Sequence, residues 1–412
     1  MTSTEALTLR VNHRDLDILH VLRAPIGGLI RHVEDLVRGQ VDAGHRVGLL
    51  CSSADATPAT TARLEALAPL LALGLHKTPI RRLPSWSDLS AIGRVRGLVR
   101  HHGIDVVHGH GAKGGLLARL ALPRHRDRGP FADARAVYTP HGGSLHYEPG
   151  SLAGLVFLNA ERWLASRTDA FIFESLFARE AFAFKVGRIG GFSRIVHNGI
   201  GPGDFAPLPE AEPVYDIAFV GELRLLKGVE DLLRALAQLK GRDIKAVIAG
   251  DGPDRDYFKS RACDLGIAHM VTFPGMVPAR DIFAQSRMLV VPSYAESLPY
   301  VVLEAAAAGI PLVATRVGGI PEIFGSQSAR LVSPHDLEDL TAAISNTLDD
   351  AAAAARTAAE LRTSVARHFS IGQMIDGVDE VYRVALQRVE GPYATHVEDA
   401  DTTRTAVSGA DP

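Results

Sequence analysis

The chain has 412 residues, 46% of them hydrophobic, with 39 glycines, 23 prolines and a formal net charge of −3. That length is too great for one ordinary core and points to two domains of roughly 150 to 200 residues. Its two cysteines, Cys51 and Cys263, lie far apart in apolar sequence and match neither a zinc spacing nor a disulfide framework, so a reducing compartment is implied. No basic segment followed by an apolar run opens the chain, and no apolar stretch is long enough to span a bilayer. A cytoplasmic protein is expected, with peripheral contact at the inner face of the cytoplasmic membrane left open.

After an N-terminal extension at 1–15, Asp17 to Val21 reads as a strand, followed by the turn Pro25-Ile26-Gly27-Gly28. Leu29, Val33, Leu36, Val37 and Val41 then recur at helical spacing, Gly44 stops the helix, and Arg46 to Leu50 is the next strand. Ile104 to His108 and Arg135 to Tyr138 are strands that run into His108-Gly109-His110-Gly111 and Thr139-Pro140-His141-Gly142-Gly143. Asp169 to Phe173 and Arg194 to Val196 complete this first domain, 16–200, the latter leading into His197-Asn198-Gly199.

Four prolines and little periodicity mark 201–214 as a linker. A second series follows at 215–368, with strands at Tyr215 to Val220, Ile244 to Ala249, Met270 to Phe273, Met288 to Val291, Pro311 to Thr315 and Ala329 to Val332. The helix after the first of these carries Val229, Leu232, Leu233 and Leu236. Alternation of this kind predicts two doubly wound α/β domains facing across a cleft. Leu337 to Val365 is alanine-rich and helical; 369–390, with Met374, Val378, Val381 and Ala385 on one face, is a final helix; 391–412 lacks periodicity and reads as a disordered tail.

The richest stretch runs from Ser293 to Gly309. It places Glu296 on a loop at a strand's carboxyl end and Glu304 inside the helix that follows Pro299, with four alanines behind Glu304 to bring that helix close to a sheet. Charge is also uneven. Lys77 to Arg128 holds eleven Lys or Arg against three Asp, a local +8 that leaves −11 elsewhere. Such a patch suits an anionic membrane surface, whereas Trp86 as its only stacking aromatic argues against nucleic acid.

Taken in order, Gly27-Gly28, Thr139-Pro140-His141-Gly142, Asn198-Gly199, Gly221-Glu222-Leu223 through Lys227-Gly228, Gly250-Asp251-Gly252-Pro253, Phe273-Pro274-Gly275, Glu296 through Glu304 and Gly318-Gly319-Ile320-Pro321-Glu322 resemble the retaining glycosyltransferases of family 4. The resemblance covers about 16 to 390 and implies a GT-B architecture: two Rossmann-like domains, with a C-terminal helix crossing back to the first. Within that family, His108 to Gly115 and Tyr138 to Tyr147 look most like bacterial enzymes that build exopolysaccharide or other surface glycans.

The resemblance implies roles residue by residue. Lys227 matches the cation on the donor diphosphate, beside a helix start whose field also favours phosphate. Glu304 matches the acceptor of the ribose hydroxyls, since a carboxylate offers acceptor sites to a vicinal diol. Glu296 matches the residue at the donor sugar's hydroxyls, with Ser297 and Leu298 on the same turn. Asp251 and Val277 look like walls of the base pocket, Gly28 allows close backbone approach, and His141 matches the histidine that reaches the sugar. Asn198 is a further candidate. Glu222 departs from the family, where arginine commonly stands; Arg224, two residues on, is the candidate substitute. His108 and His110 share a face, but no Cys, Asp or Glu completes a metal set, and the resemblance implies no metal and no cofactor. The expected partners are a nucleoside diphosphate sugar and a glycan or polyprenyl-diphosphate-linked acceptor. A nucleotide-sugar epimerase and a non-catalytic nucleotide-sugar binding protein are the competing readings.

Overall fold

The computed structural model describes residues 14–54, 58–123, 131, 133–143, 147–187, 189–209 and 212–387. Most of the N-terminal extension, the last residues of the final helical segment, the tail at 391–412 and the end of the basic stretch at 124–128 therefore lie outside the described residues.

The first lobe is built on seven parallel strands, β1 (Asp17–Leu22), β2 (Arg46–Ser52), β3 (Leu75–Thr78), β4 (Val106–His110), β5 (Arg135–Thr139), β6 (Ala170–Phe173) and β7 (Phe192–Ile195), in the order 3-2-1-4-5-6-7. β4, β5 and β6 are buried along their whole length, as a parallel sheet covered on both faces requires. The covering helices are α1 (Gly27–Asp42), α2 (Pro58–Leu67), α3 (Ser87–His102), α4 (Gly111–Ala121), α5 (Leu152–Ala165) and α6 (Leu176–Lys185). α1 starts where Gly27, at φ 60, turns the chain out of β1, and it buries Ile30, Val33, Leu36 and Val37 against the sheet.

Five parallel strands form the second lobe: β8 (Tyr215–Val220), β9 (Ala246–Ala249), β10 (Val271–Gly275), β11 (Ser286–Val291) and β12 (Leu312–Ala314), in the order 10-9-8-11-12. Around them lie α7 (Val229–Gln238), α8 (Arg255–Asp264), α9 (Ala279–Ala284), α10 (Tyr300–Ala308), α11 (Ile320–Phe324), α12 (Leu337–Asp349) and α13 (Ala351–His368). The alanines of α10 are all buried; the small side chains let this helix sit against α9 and α13. The chain then returns: α14 (Ile371–Gln387) buries Met374, Val378, Val381, Tyr382 and Ala385 against Leu16, Ile18, Leu36 and Val106 of the first lobe. The outgoing and returning crossings are bonded side by side, Ile200 N–H to Phe369 O at 2.9 Å and Ile371 N–H to Ile200 O at 3.0 Å.

Two local expectations are corrected, the strand at 329–332 and the surroundings of Cys263, while the helical reading of Leu337 to Val365 holds with a break and β3 is an added strand. Ala329 to Val332 is not a strand: Gly325–Arg330 forms a 3-10 helix, and only the single bridge from Thr315 to Val332 remains of the pairing. The alanine-rich stretch is two helices, because Asp350 ends α12 and its side chain accepts from Ala353 N–H at 2.8 Å to start α13. β3 is a strand that Lys77 and His76 conceal, an edge in which Leu75 and His76 are half-buried, Lys77 is exposed and Thr78 is buried. Cys51 is buried, but Cys263 is exposed on α8 rather than in apolar surroundings.

Candidate active site

Each sheet reverses its strand order once, between β1 and β4 in the first lobe and between β8 and β11 in the second. Loops leaving neighbouring strands in opposite directions open a crevice at such a point, outside the carboxyl ends of the strands. Gly27, Gly28 and His110 border the first crevice, and the loops Gly221–Lys227 and Ser293–Leu298 border the second.

Lys227 ends a 3-10 turn, Leu225–Lys227, and Gly228 follows at φ 68 as the residue that admits the chain into α7. Its ammonium donates to Glu296 Oε1 at 2.7 Å, and the Ser293 hydroxyl donates to the same oxygen at 2.7 Å. The backbones of these loops are also joined, Tyr294 N–H donating to Leu226 O at 2.9 Å. Lys227 and Glu296 thus form one unit across the second lobe's switch point, with the lysine partly open and the glutamate largely covered.

Ser297 reaches the first lobe. Its hydroxyl donates to Glu174 Oε2 at 2.9 Å, while Glu174 Oε1 lies 2.6 Å from His141 Nδ1. Burial pushes the Glu174 carboxyl up, but the His141 imidazole more than reverses this and leaves it at about 2. His141 itself adopts φ 49, between Pro140 and Gly142, and its Nε2 lies 3.0 Å from His110 Nδ1. Both of its ring nitrogens are therefore engaged within the protein. Asn198 also bridges the lobes, its Nδ2 donating to Leu298 O at 2.8 Å, and Gly28 lies where an added Cβ would stand 3.2 Å from the Tyr300 ring.

Glu304 has a different neighbourhood from Glu296. It is ion-paired with Arg31 of α1, which also binds Asp204 Oδ2 at 2.7 Å. Burial raises the Glu304 carboxyl, opposed by the Arg31 charge. A ribose diol reaching Glu304 must share it with Arg31 or displace that guanidinium. Arg224 sits 3.8 Å from the Glu222 carboxylate, with both side chains substantially exposed. Asp251 accepts from Gly252 N–H at 2.9 Å on a loop packed against Leu223, and Val277 is half-buried just beyond β10. Neither touches the Lys227–Glu296 unit.

Behind His141 lies a histidine cluster that strand-by-strand reading did not assemble. His110 Nε2 lies 2.9 Å from His20 Nδ1, His20 Nε2 lies 2.8 Å from Gln40 Oε1, and His108 is held by Tyr382 OH at 2.7 Å and Thr139 Oγ1 at 2.8 Å. Burial lowers His20 to about 4 and His32 to about 3, and holds His108 and His110 well below the ordinary range. Two triplets, His20/His108/His110 and His32/His110/His141, each bring ligand atoms within 4.8 Å. The third member of each triplet is a further histidine, not the Cys, Asp or Glu sought in the sequence. Most of these ring nitrogens are spent on hydrogen bonds to one another and to Gln40, Tyr382 and Thr139.

Sequence reading missed Glu174 and Arg31, and gave Glu322 no role beyond its place in a motif. Glu174 directly follows β6, as His141 follows β5, so its place at a strand's carboxyl end was the available signal. Glu322 accepts from the Leu176 and Phe177 N–H groups at the start of α6, at 2.9 and 3.1 Å, and from His197 at 3.0 Å, tying the second lobe to the first. Arg31 carried no signal, being one arginine on a helix.

Residues 26–203 match the family model described as Glycosyltransferase Family 4, and 203–363 match the one described as Glycosyl transferases group 1. Glycogen synthase of Mycobacterium tuberculosis (strain ATCC 25618 / H37Rv) is 27% identical over 394 residues, covering 89% of this chain and 93% of that protein. The GDP-mannose-dependent alpha-(1-6)-phosphatidylinositol monomannoside mannosyltransferase of Mycolicibacterium smegmatis is 30% identical over 286 residues, covering 62% and 70%. The crystal structure of Anabaena Alr3699/HepE in complex with UDP and glucose superposes with a TM-score of 0.72 at 20% identity, over 89% of this chain and 98% of that one. Two parallel-sheet lobes, each matched by its own family model, place the protein among the GT-B glycosyltransferases, with a first lobe of Glycosyltransferase Family 4 and a second of Glycosyl transferases group 1.

Proposed function

We propose that the protein is a retaining glycosyltransferase that moves a sugar from a nucleoside diphosphate sugar to a hydroxyl of a glycan or lipid-linked saccharide, in the synthesis of an exopolysaccharide or other surface glycan. The observation that carries this reading is the Lys227–Glu296 pair at the second lobe's switch point, joined through Ser297 and Glu174 to His141 of the first lobe. In the reaction, the bond from the anomeric carbon to the diphosphate oxygen breaks and its electron pair leaves on that oxygen. The acceptor oxygen bonds to the same carbon from the same face, and its proton passes to the departing phosphate.

Lys227 stabilises the charge that develops on the diphosphate, assisted by the N-terminus of α7. Glu296, held by Lys227 and Ser293, accepts from the sugar hydroxyls, with Ser297 and Leu298 completing the turn beside it. Glu304 takes the ribose diol in exchange for Arg31; Asp251 and Val277 border the base; Gly28 lets the α1 start approach the donor. With both ring nitrogens of His141 engaged, contact with the sugar requires release of His110 or use of the His141 backbone. Cations and helix ends do the electrostatic work here, so no metal or other cofactor is assigned. Arg224 is the weakest member, since Glu222 competes for it.

The UDP and glucose of the similar structure and the GDP-mannose of the mannosyltransferase make uridine and guanosine diphosphate sugars the first donors to test. A nucleotide-sugar panel read by thermal shift, then assayed with and without lipid-linked glycans, tests the reading. Donor consumption that depends on acceptor is the expected result. Donor conversion without any acceptor means an epimerase, and binding without conversion means a non-catalytic protein; either overturns the proposal.

A further inference from the structure

Ten of the sixteen large apolar side chains exposed among the described residues lie on α3 to α6 or the turns that lead into them. These four helices follow one another on one face of the first sheet, where α3 packs on α4 and α4 on α5. α5 is apolar on two sides. Gly154, Leu158 and Leu164 face the core, while Leu152, Leu155, Val156 and Trp163 point outward, with Leu152 85% and Val156 66% exposed. At the entry to α3 the turn exposes Leu83 and Trp86, the latter by 88%, and Leu89 follows on the first helical turn. An apolar surface of this extent marks a place that something covers.

Charge selects the occupant. The only acid of α3, Asp88, is buried and paired with Lys113 at 2.6 Å, and the only acid of α5, Glu161, is buried and paired with Arg119 at 2.7 Å. Outside, Arg81 and Arg82 precede Leu83, Arg94 and Arg100 stand along α3, and Arg162 stands beside Trp163, all exposed. Outward charge on α3 and α5 is therefore positive, interleaved with tryptophan and aliphatic side chains. Tryptophan, with an apolar body and one N–H donor, suits the boundary between headgroups and acyl chains.

We propose that the outer face of α3 and α5 docks on a lipid bilayer bearing anionic headgroups. Leu155, Val156 and the two tryptophans enter the acyl boundary, and the arginines meet the lipid phosphates. The proposal rests on the lipid-linked acceptor of the reading above and gives it a place. The starts of α3 and α5, like Gly28 and His141, lie beyond the carboxyl ends of strands of the first sheet, so a membrane-held acceptor enters the crevice along the bilayer surface.

Trp86 and Trp163 are the chain's only tryptophans, and both lie on this face, so intrinsic fluorescence of the full chain reports the contact directly. The chain is titrated with vesicles of phosphatidylcholine alone or mixed with phosphatidylglycerol, and scored for emission shift, quenching by brominated acyl chains and co-sedimentation. Expected are a blue shift and quenching on the anionic vesicles, an affinity at least about tenfold lower for the Leu155→Ser/Val156→Ser variant, and a retained Trp86 response in Trp163→Phe. Circular dichroism checks that these exposed substitutions keep the fold. Unchanged emission, binding untouched by Leu155→Ser/Val156→Ser, or burial of both tryptophans in a concentration-dependent dimer without vesicles overturns the proposal. No donor is needed, so a failed transfer assay and a failed docking experiment are separate results.

Discussion

Lys227 and Glu296 act as a pair before any ligand arrives: the 2.7 Å contact holds the ammonium over the crevice. Lys227→Ala is expected to lower kcat by roughly a hundredfold or more while circular dichroism stays native, because the lost charge matters most as the leaving group ionises. Arg224→Ala should cost far less, since Glu222 already draws on that guanidinium; a loss equal to that of Lys227→Ala would restore Arg224 as a principal phosphate ligand. The buried histidines make a second prediction. His20 and His32 stay neutral in the fold down to about 4 and 3, whereas an unfolded chain protonates near 6.5. The unfolded state then binds more protons below pH 6.5, so this stability is complete above that pH and drains away as pH falls. Glu174, at about 2, adds a loss of the same sign below about pH 4.5. Thermal midpoints should fall steadily from pH 7 to pH 4, with His20 alone contributing on the order of 3 kcal/mol. In His20→Asn that slope should flatten.

At the scale of elements, the turn from β8 into α7 decides where Lys227 points. Gly228 sits at φ 68, and an added Cβ would stand 1.9 Å from Pro292 O, on the loop that leads to Glu296. Gly228→Ala therefore combines a left-handed backbone costing about 1–2 kcal/mol with a clash against backbone that cannot swing aside. A lowered thermal midpoint together with at least about a tenfold loss of turnover is expected; a native midpoint and native kinetics would show the two loops to be more compliant than their packing indicates. Elements were most legible in sequence where burial is two-sided. β1, β4, β5 and β8 read directly, as short, mainly apolar runs that lead into turns rich in glycine, proline or histidine. β3 did not, because an edge strand with Lys77 and His76 lacks that signature, and 329–332 misled because Leu331 and Val332 are both buried although only Val332 pairs, in a single bridge to Thr315.

For the molecule as a whole, α14 is part of the first lobe's core although it lies last in the chain. Truncation after residue 370 exposes Leu16, Ile18, Leu36 and Val106, and should yield insoluble or unfolded protein. Truncation after residue 390 should change neither thermal midpoint nor turnover, and loss of activity there would assign a role to 391–412. The lobes are further held by Glu322 on the α6 start, by Asn198 on Leu298 and by Ser297 on Glu174, contacts whose partners lie 100 or more residues apart in sequence.

Spacing of apolar residues, and the glycines and prolines between them, determined that this chain forms two parallel α/β sheets with ligand loops at their strand ends, because those preferences act over a few neighbouring residues. Which side chains meet there was decided only in three dimensions. Nothing local in the sequence of α1 announces that Arg31 will claim Glu304, nor that five histidines from β1, α1, β4 and the loop after β5 will converge. Such contacts depend on how strands are ordered in the sheet and how one lobe sits on the other, and that order is set by the packing of the whole chain.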